Sequence, residues 1–179
     1  MTHDKDRPAV PAIETIEELL AHGKVLEEEA AAGYAEMGDA MEVHNNLEVA
    51  GLFRQLQTYS LKHAAEIEER SRGLRIPRIA PWNLKWRNGT APEAASMTDA
   101  HYLMNPYQAL RLAHRAEMGA HDFYASVAAA TGNAEVKGMA AEFAEEEAGH
   151  VVMLEEWMAR FPKPEDGWDE DPDPPGMPE

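Results

Sequence analysis

Glu147 and His150 stand one helical turn apart inside a run that is otherwise apolar. Val136, Met139, Phe143, Glu147, His150, Leu154 and Trp157 follow one another at steps of three or four, the spacing of one face of an α-helix. Such a face packs against other helices, and a carboxylate or imidazole buried there without a partner costs several kcal/mol. A Glu-x-x-His pair is also the unit with which helical bundles present ligands to a pair of metal ions. Alone the pair is a weak signal in a chain this rich in Glu and Ala. Its meaning depends on what the other helices bring to it.

Those helices are readable from their ends. Thr15-Ile-Glu-Glu18 is a capping box that opens a first long helix, with Ile16, Leu20, Gly23, Glu27, Ala30, Tyr34, Met37 and Met41 on one face. His44-Asn45-Asn46 is a turn, and Asn46 is the expected N-cap of a second helix, which carries Val49, Leu52, Leu56, Ser60, His63 and Ile67 and stops at Gly73. Asn105-Pro106 opens a third, with Tyr107, Leu110, His114, Glu117, His121, Tyr124 and Ala128 as its stripe. Gly132-Asn133 ends the third and caps the fourth, which stops near Phe161-Pro162. Residues 74–104 lack a steady period and contain Pro77, Pro81 and Pro92, as expected of a crossover between the ends of a bundle. The expected organisation is a polar arm over 1–12, an all-α four-helix bundle over 13–161, and an acidic Pro-rich tail over 162–179. That tail holds six of the twelve prolines and is too polar to fold alone; its Trp168 either anchors to the body or a partner or faces solvent, and the sequence favours neither.

Composition narrows the chemistry. The 179 residues contain no cysteine, which excludes disulfides, thiolate zinc sites and iron–sulfur or rubredoxin-type centres. A net charge of −17 argues against nucleic acid and anionic membranes as partners. No membrane-span or signal-peptide pattern is present, so the expected location is the cytoplasm.

The two hairpins resemble each other. Val49-x-Gly51-Leu52 precedes His63 by the same 14 residues that separate Val136-x-Gly138-Met139 from His150. Glu68-Glu69 and Glu155-Glu156 follow the two histidines at equal distance, and Glu27 precedes Tyr34 by seven residues as Glu117 precedes Tyr124. The set indicates a duplicated helical hairpin. Each copy then offers one inward carboxylate on its first helix and one inward histidine on its second. Cations make burial of several carboxylates tolerable, and oxygen and imidazole donors in a bundle suit iron or manganese. Glu27, His63, Glu117, Glu147 and His150 are the candidate ligands. Tyr34 and Tyr124, on the same faces, are candidates to hydrogen-bond the ligand carboxylates.

The pattern Glu27-x6-Tyr34, His63, Glu117-x6-Tyr124, Glu147-x-x-His150 resembles the ferritin-like superfamily and, within it, the rubrerythrin family, over about residues 15–160 without much of the crossover. The resemblance implies a ferritin-like four-helix bundle of two duplicated hairpins, commonly a homodimer. It also implies a di-iron carboxylate centre, with manganese or zinc as alternatives, acting in oxidative stress. By that resemblance the protein is a non-haem di-iron peroxidase or oxidase that reduces hydrogen peroxide or oxygen. Without cysteine there is no rubredoxin centre, so electrons come from a separate donor.

One position departs from the family pattern. Ser60 stands opposite Glu147 in the repeat, so the first hairpin reads Ser60-Leu-Lys-His63 where Glu-x-x-His is wanted, and a serine hydroxyl is a poor ligand. His114 and His121 flank Glu117, where helix one has Lys24 and Ala31; they are additional candidates for a ligand or a proton donor. His22, His44 and His101 have no such support. The alternative function is a non-catalytic or single-metal helical scaffold acting through its tail. Iron storage in a shell carries less weight, because the proline-rich tail fits neither a fifth helix nor a cage-forming surface.

Overall fold

The computed structural model describes residues 12–86, 92 and 101–169. The arm over 1–11, part of the crossover and the last ten residues of the tail lie outside the described residues.

Four long helices carry the fold, α1 Ile16–Val43, α2 Leu47–Arg70, α3 Pro106–Ala130 and α4 Ala134–Met158, and no strand occurs among the described residues. Their starts have clear local causes. Thr15 Oγ1 accepts from the Glu18 amide at 3.2 Å. Asn105 and Gln108 form a reciprocal capping box before Pro106. Asn133 Oδ1 accepts from the Glu135 and Val136 amides at 2.9 and 3.4 Å. Each cap satisfies donors that the first helical turn leaves orphaned.

Two ends differ from expectation. Asn46 precedes α2, but its side chain makes no cap bond. Its Nδ2 donates instead to the carbonyls of Met104 and Tyr102 at 2.8 and 3.4 Å, tying the α1–α2 turn to the end of the crossover. α2 ends at Arg70 rather than Gly73, because Ser71 Oγ turns back to the Ile67 carbonyl at 2.8 Å; Gly73 takes a φ of 82° in the turn that follows.

α1 packs along α2 and α3 along α4, as two hairpins that together make a four-helix bundle. The core is not continuous. One apolar cluster gathers Leu19, Leu20, Leu26, Ile67, Phe123, Tyr124, Val136 and Phe143 with Trp86 of the crossover. A second gathers Tyr34, Met37, Met41, Phe53, Leu56, Leu110, Ala113 and Leu154. On each helix polar residues lie between the two clusters: Glu27 on α1, Ser60 and His63 on α2, Glu117 on α3, Glu147 and His150 on α4. A polar layer thus cuts the bundle across its middle. The described part of the tail docks on the second cluster, against which Trp168, like Trp157 and Phe161, is packed, and Trp168 meets the His101 ring edge-on at 5.6 Å.

The crossover is fastened to the bundle by His22, for which the sequence offered no role. This side chain is fully buried, edge-on to Trp86 at 5.2 Å and stacked on Phe123 at 6.0 Å. Its Nε2 accepts from the Lys85 amide at 3.0 Å, so the proton sits on Nδ1, which donates to the Glu18 carbonyl at 2.8 Å. The ring is held neutral: burial pulls its pKa below 6.5, against the opposing pull of the Glu18 carbonyl. A folded-state pKa below the unfolded one means stability that is present above about pH 6.5 and is lost as pH falls. His22→Ala should lower unfolding stability in urea by about 2–4 kcal/mol through the lost packing and the orphaned amide. It should also flatten the acid side of the stability–pH curve below pH 6.5. An unchanged urea midpoint would show that His22 fastens nothing.

Candidate metal centre

The polar layer brings five of the predicted residues together. Glu27 and Glu147 are almost fully covered, at 3% and 4% exposed. On one side of the layer, Glu27 Oε1 lies 3.3 Å from His63 Nδ1. On the other, His150 Nδ1 lies 2.9 Å from Glu147 Oε2 and 3.2 Å from Glu117 Oε2. The His63 and His150 rings stack between the sides, 4.5 Å apart and 7° from parallel. One donor atom each from Glu117, Glu147 and His150 falls within a 4.8 Å span, with the remaining pair across the stack.

The electrostatics are those of a site waiting for positive charge. Burial pushes the Glu147 carboxyl up to about 8, only partly offset by its hydrogen bond to His150. Glu27 is raised for the same reason, against the opposing His63. Burial pulls His150 down, but its hydrogen bonds to Glu117 and Glu147 and their charges outweigh this and raise it to about 10. His63 is pulled down by burial and raised on balance by Glu27. Without a cation, then, the layer recruits protons. Two carboxylates and an imidazole gathered this closely are the donor set of a divalent metal, and the residues present fit one.

A pocket open to solvent runs down to the layer. Glu27, His63, Glu147 and His150 lie at its base, Ile67, Tyr124 and Phe143 form walls, and Glu66, Arg70 and Glu146 stand at its rim. Arg70 lies over the Phe143 ring at 5.2 Å and pairs with Glu142 at 2.7 Å and Glu146 at 3.5 Å. Arg70 was not among the residues that the sequence singled out. The available signal was its place seven residues after His63, two turns on along the same side of α2.

His114 and His121 do not join the group. His114 Nε2 pairs with Glu155 at 3.1 Å, and His121, 40% exposed, pairs with Asp122 at 3.1 Å. The cause is the rotation of α3. At about 100° per residue, both histidines fall roughly 40–60° to one side of Glu117. The buried face lies on the other side, where Ala109, Ala113, Ala116, Ala120, Phe123 and Val127 are covered, leaving Glu117 at its edge. The stripe drawn through the histidines was therefore turned away from the core. Of the tyrosines, Tyr124 lines the pocket, whereas Tyr34 lies in the second cluster with its ring 6.3 Å from that of Phe53.

Tyr124 depends on a missing side chain. A Cβ on Gly23 would stand 2.9 Å from Tyr124 Oη and 3.1 Å from Ile67 Cδ1, both buried pocket-wall residues. Gly23→Ala should destabilise the fold by about 1–3 kcal/mol through overpacking, although alanine is the better helix former by about 1 kcal/mol. Thermal unfolding measures it; a gain in stability would mean that Tyr124 is free to yield.

Four helices around a buried carboxylate–histidine layer define a ferritin-like four-helix bundle. The rubrerythrin family model matches residues 18–158, and the chain belongs to the rubrerythrin family. It is similar to an uncharacterized conserved protein from Magnetospirillum magnetotacticum MS-1, known from its crystal structure. The two are 44% identical, with a TM-score of 0.64 over 84% of this chain and 98% of that one. No curated protein matches. Among the described residues, no helix is long and apolar enough to cross a membrane.

Proposed function

We propose that this protein is a di-metal carboxylate oxidoreductase, with iron as the resident metal, that reduces hydrogen peroxide or oxygen with electrons from a separate donor. The observation that carries the reading is the buried layer in which Glu27 faces His63 and Glu117 and Glu147 face His150. A ferrous pair bound there would supply the two electrons that O–O bond reduction requires. The protein's part is to hold and shield the pair. Glu27 and His63 would serve one metal, Glu117, Glu147 and His150 the other. Phe143, Ile67 and Tyr124 line the pocket that leads to the layer, and Tyr124 would be the hydroxyl donor to a ligand carboxylate there. Manganese or zinc are the alternative occupants. A cytoplasmic homodimer without nucleic-acid or membrane partners completes the proposal.

Protein loaded with ferrous iron under argon should be oxidised faster by stoichiometric hydrogen peroxide than by dissolved oxygen in stopped-flow absorbance. Faster oxidation by oxygen would make oxygen the substrate, and ferrous protein that neither oxidant oxidises would overturn the proposal. One observation favours a second reading: Ser60, where a carboxylate is expected, leaves fewer ligands and suits a redox-silent single-metal scaffold.

A further inference from the structure

The geometry points to a centre divided by Ser60 into two unequal half-sites, a tight one on the α3–α4 hairpin and a weak, exchangeable one on the α1–α2 hairpin. This rests on the reading of the polar layer as a two-metal site, and adds what this particular chain does to it. The α3–α4 half presents Glu117, Glu147 and His150, three donors already within 4.8 Å of one another. The α1–α2 half presents only Glu27 and His63. Ser60 lies one turn before His63 on the inward face of α2, 5% exposed, as Glu147 lies one turn before His150 on α4. The serine side chain ends two heavy atoms short of where a glutamate would place its oxygens, and its hydroxyl is neutral.

Charge counting leads to the same division. Glu117 and Glu147 together balance one divalent cation. Glu27 alone leaves a second cation with an uncompensated positive charge in a covered layer, which is costly unless something neutralises it. The weak half-site therefore keeps open coordination positions, and a small anion beside Ser60 is the natural complement to its charge. Binding of the second metal is then linked to such an anion, which a carboxylate at position 60 would replace.

The test uses cobalt(II) as probe, titrated into the metal-free full chain and followed by calorimetry and visible absorption. Partners that merely orient ligands are worth roughly 10–100-fold in metal affinity, so loss of a ligand itself should separate the two equivalents by at least about 100-fold. Azide should tighten the second equivalent and leave the first unchanged. Ser60→Glu should bring the second to within about tenfold of the first and abolish the azide effect. Glu27→Gln keeps the division testable if Ser60→Glu fails to fold: it should remove the weak step alone. Two equivalents of equal affinity in the wild-type chain would overturn the inequality while leaving the metal centre standing. So would a weak step that survives Glu27→Gln, or the absence of any second step even with azide. No cobalt binding at all would overturn the metal-centre reading itself.

Discussion

Replacing Glu147 by glutamine should make the metal-free protein more stable at alkaline pH and, in the same molecule, reduce metal affinity by more than about 100-fold, since a ligand is worth more than the 10–100-fold of a supporting partner. The two effects have one origin. Glu147 is 4% exposed, and burial raises its carboxyl to about 8. Above that pH the fold must carry a buried anion that the unfolded chain keeps in water. The penalty is several kcal/mol at full ionisation, since each tenfold change in proton affinity between the two states is worth about 1.4 kcal/mol. Glutamine fills the same space without the charge. In differential scanning calorimetry at pH 9, Glu147→Gln without metal should melt roughly 5 °C or more above wild type, given about 2–4 °C per kcal/mol for a chain of this size. A residue whose removal stabilises the fold and destroys binding is held there against stability for the sake of a ligand. A variant that melts lower at pH 9 and still binds metal would contradict this assignment.

The metal-free and metal-loaded proteins should respond to pH in opposite directions. In the metal-free protein Glu147 and Glu27 have raised folded-state pKa values, so the fold holds protons that the unfolded chain has already released above about pH 4.5. Their contribution is present in acid and is lost as pH rises through the folded value, about 8 for Glu147. His150, raised to about 10, and His63, also raised, act with the same sign. As paired imidazolium groups they stabilise below about pH 6.5, and that stability is lost as pH rises through their folded values. Metal reverses the slope, because a cation replaces the protons and competes with them less as pH increases. From pH 6 to 9 the melting temperature with chelator should fall, while the gap between the loaded and chelated proteins widens by several degrees. Ligand at about 1,000 times its dissociation constant adds about 4 kcal/mol. Glu147→Gln should flatten the chelated limb. Parallel curves with and without metal would contradict a layer that exchanges protons for a cation.

The parts of this molecule legible in its sequence are those with local or repeated causes. Thr15, Asn105-Pro106 and Asn133 announce helix starts because capping is a contact over two or three residues. The match between hairpins picks out Glu27, His63, Glu117 and His150, the Glu-x-x-His spacing adds Glu147, and the structure gathers these five into one layer. The rotation of α3 was not legible. Four of its ten buried residues are alanines, which carry little apolar signal, so the larger His114 and His121 drew the stripe outward. His22 was hidden for a different reason. Its partner is the amide of Lys85, 63 residues away, and no spacing rule links a helix to a crossover that it meets only in three dimensions. Asn46 likewise has capping chemistry at a helix start, yet its amide goes to Met104 and Tyr102. Tertiary partners prevail over local ones in both cases.

Anomalous diffraction at the iron edge from crystals grown with ferrous iron under argon tests the central claim most directly. A metal centre in the polar layer predicts a strong peak ringed by Glu117, Glu147 and His150, with a weaker one beside Glu27 and His63. Iron-loaded crystals with no anomalous peak in the layer between the two apolar clusters would contradict it.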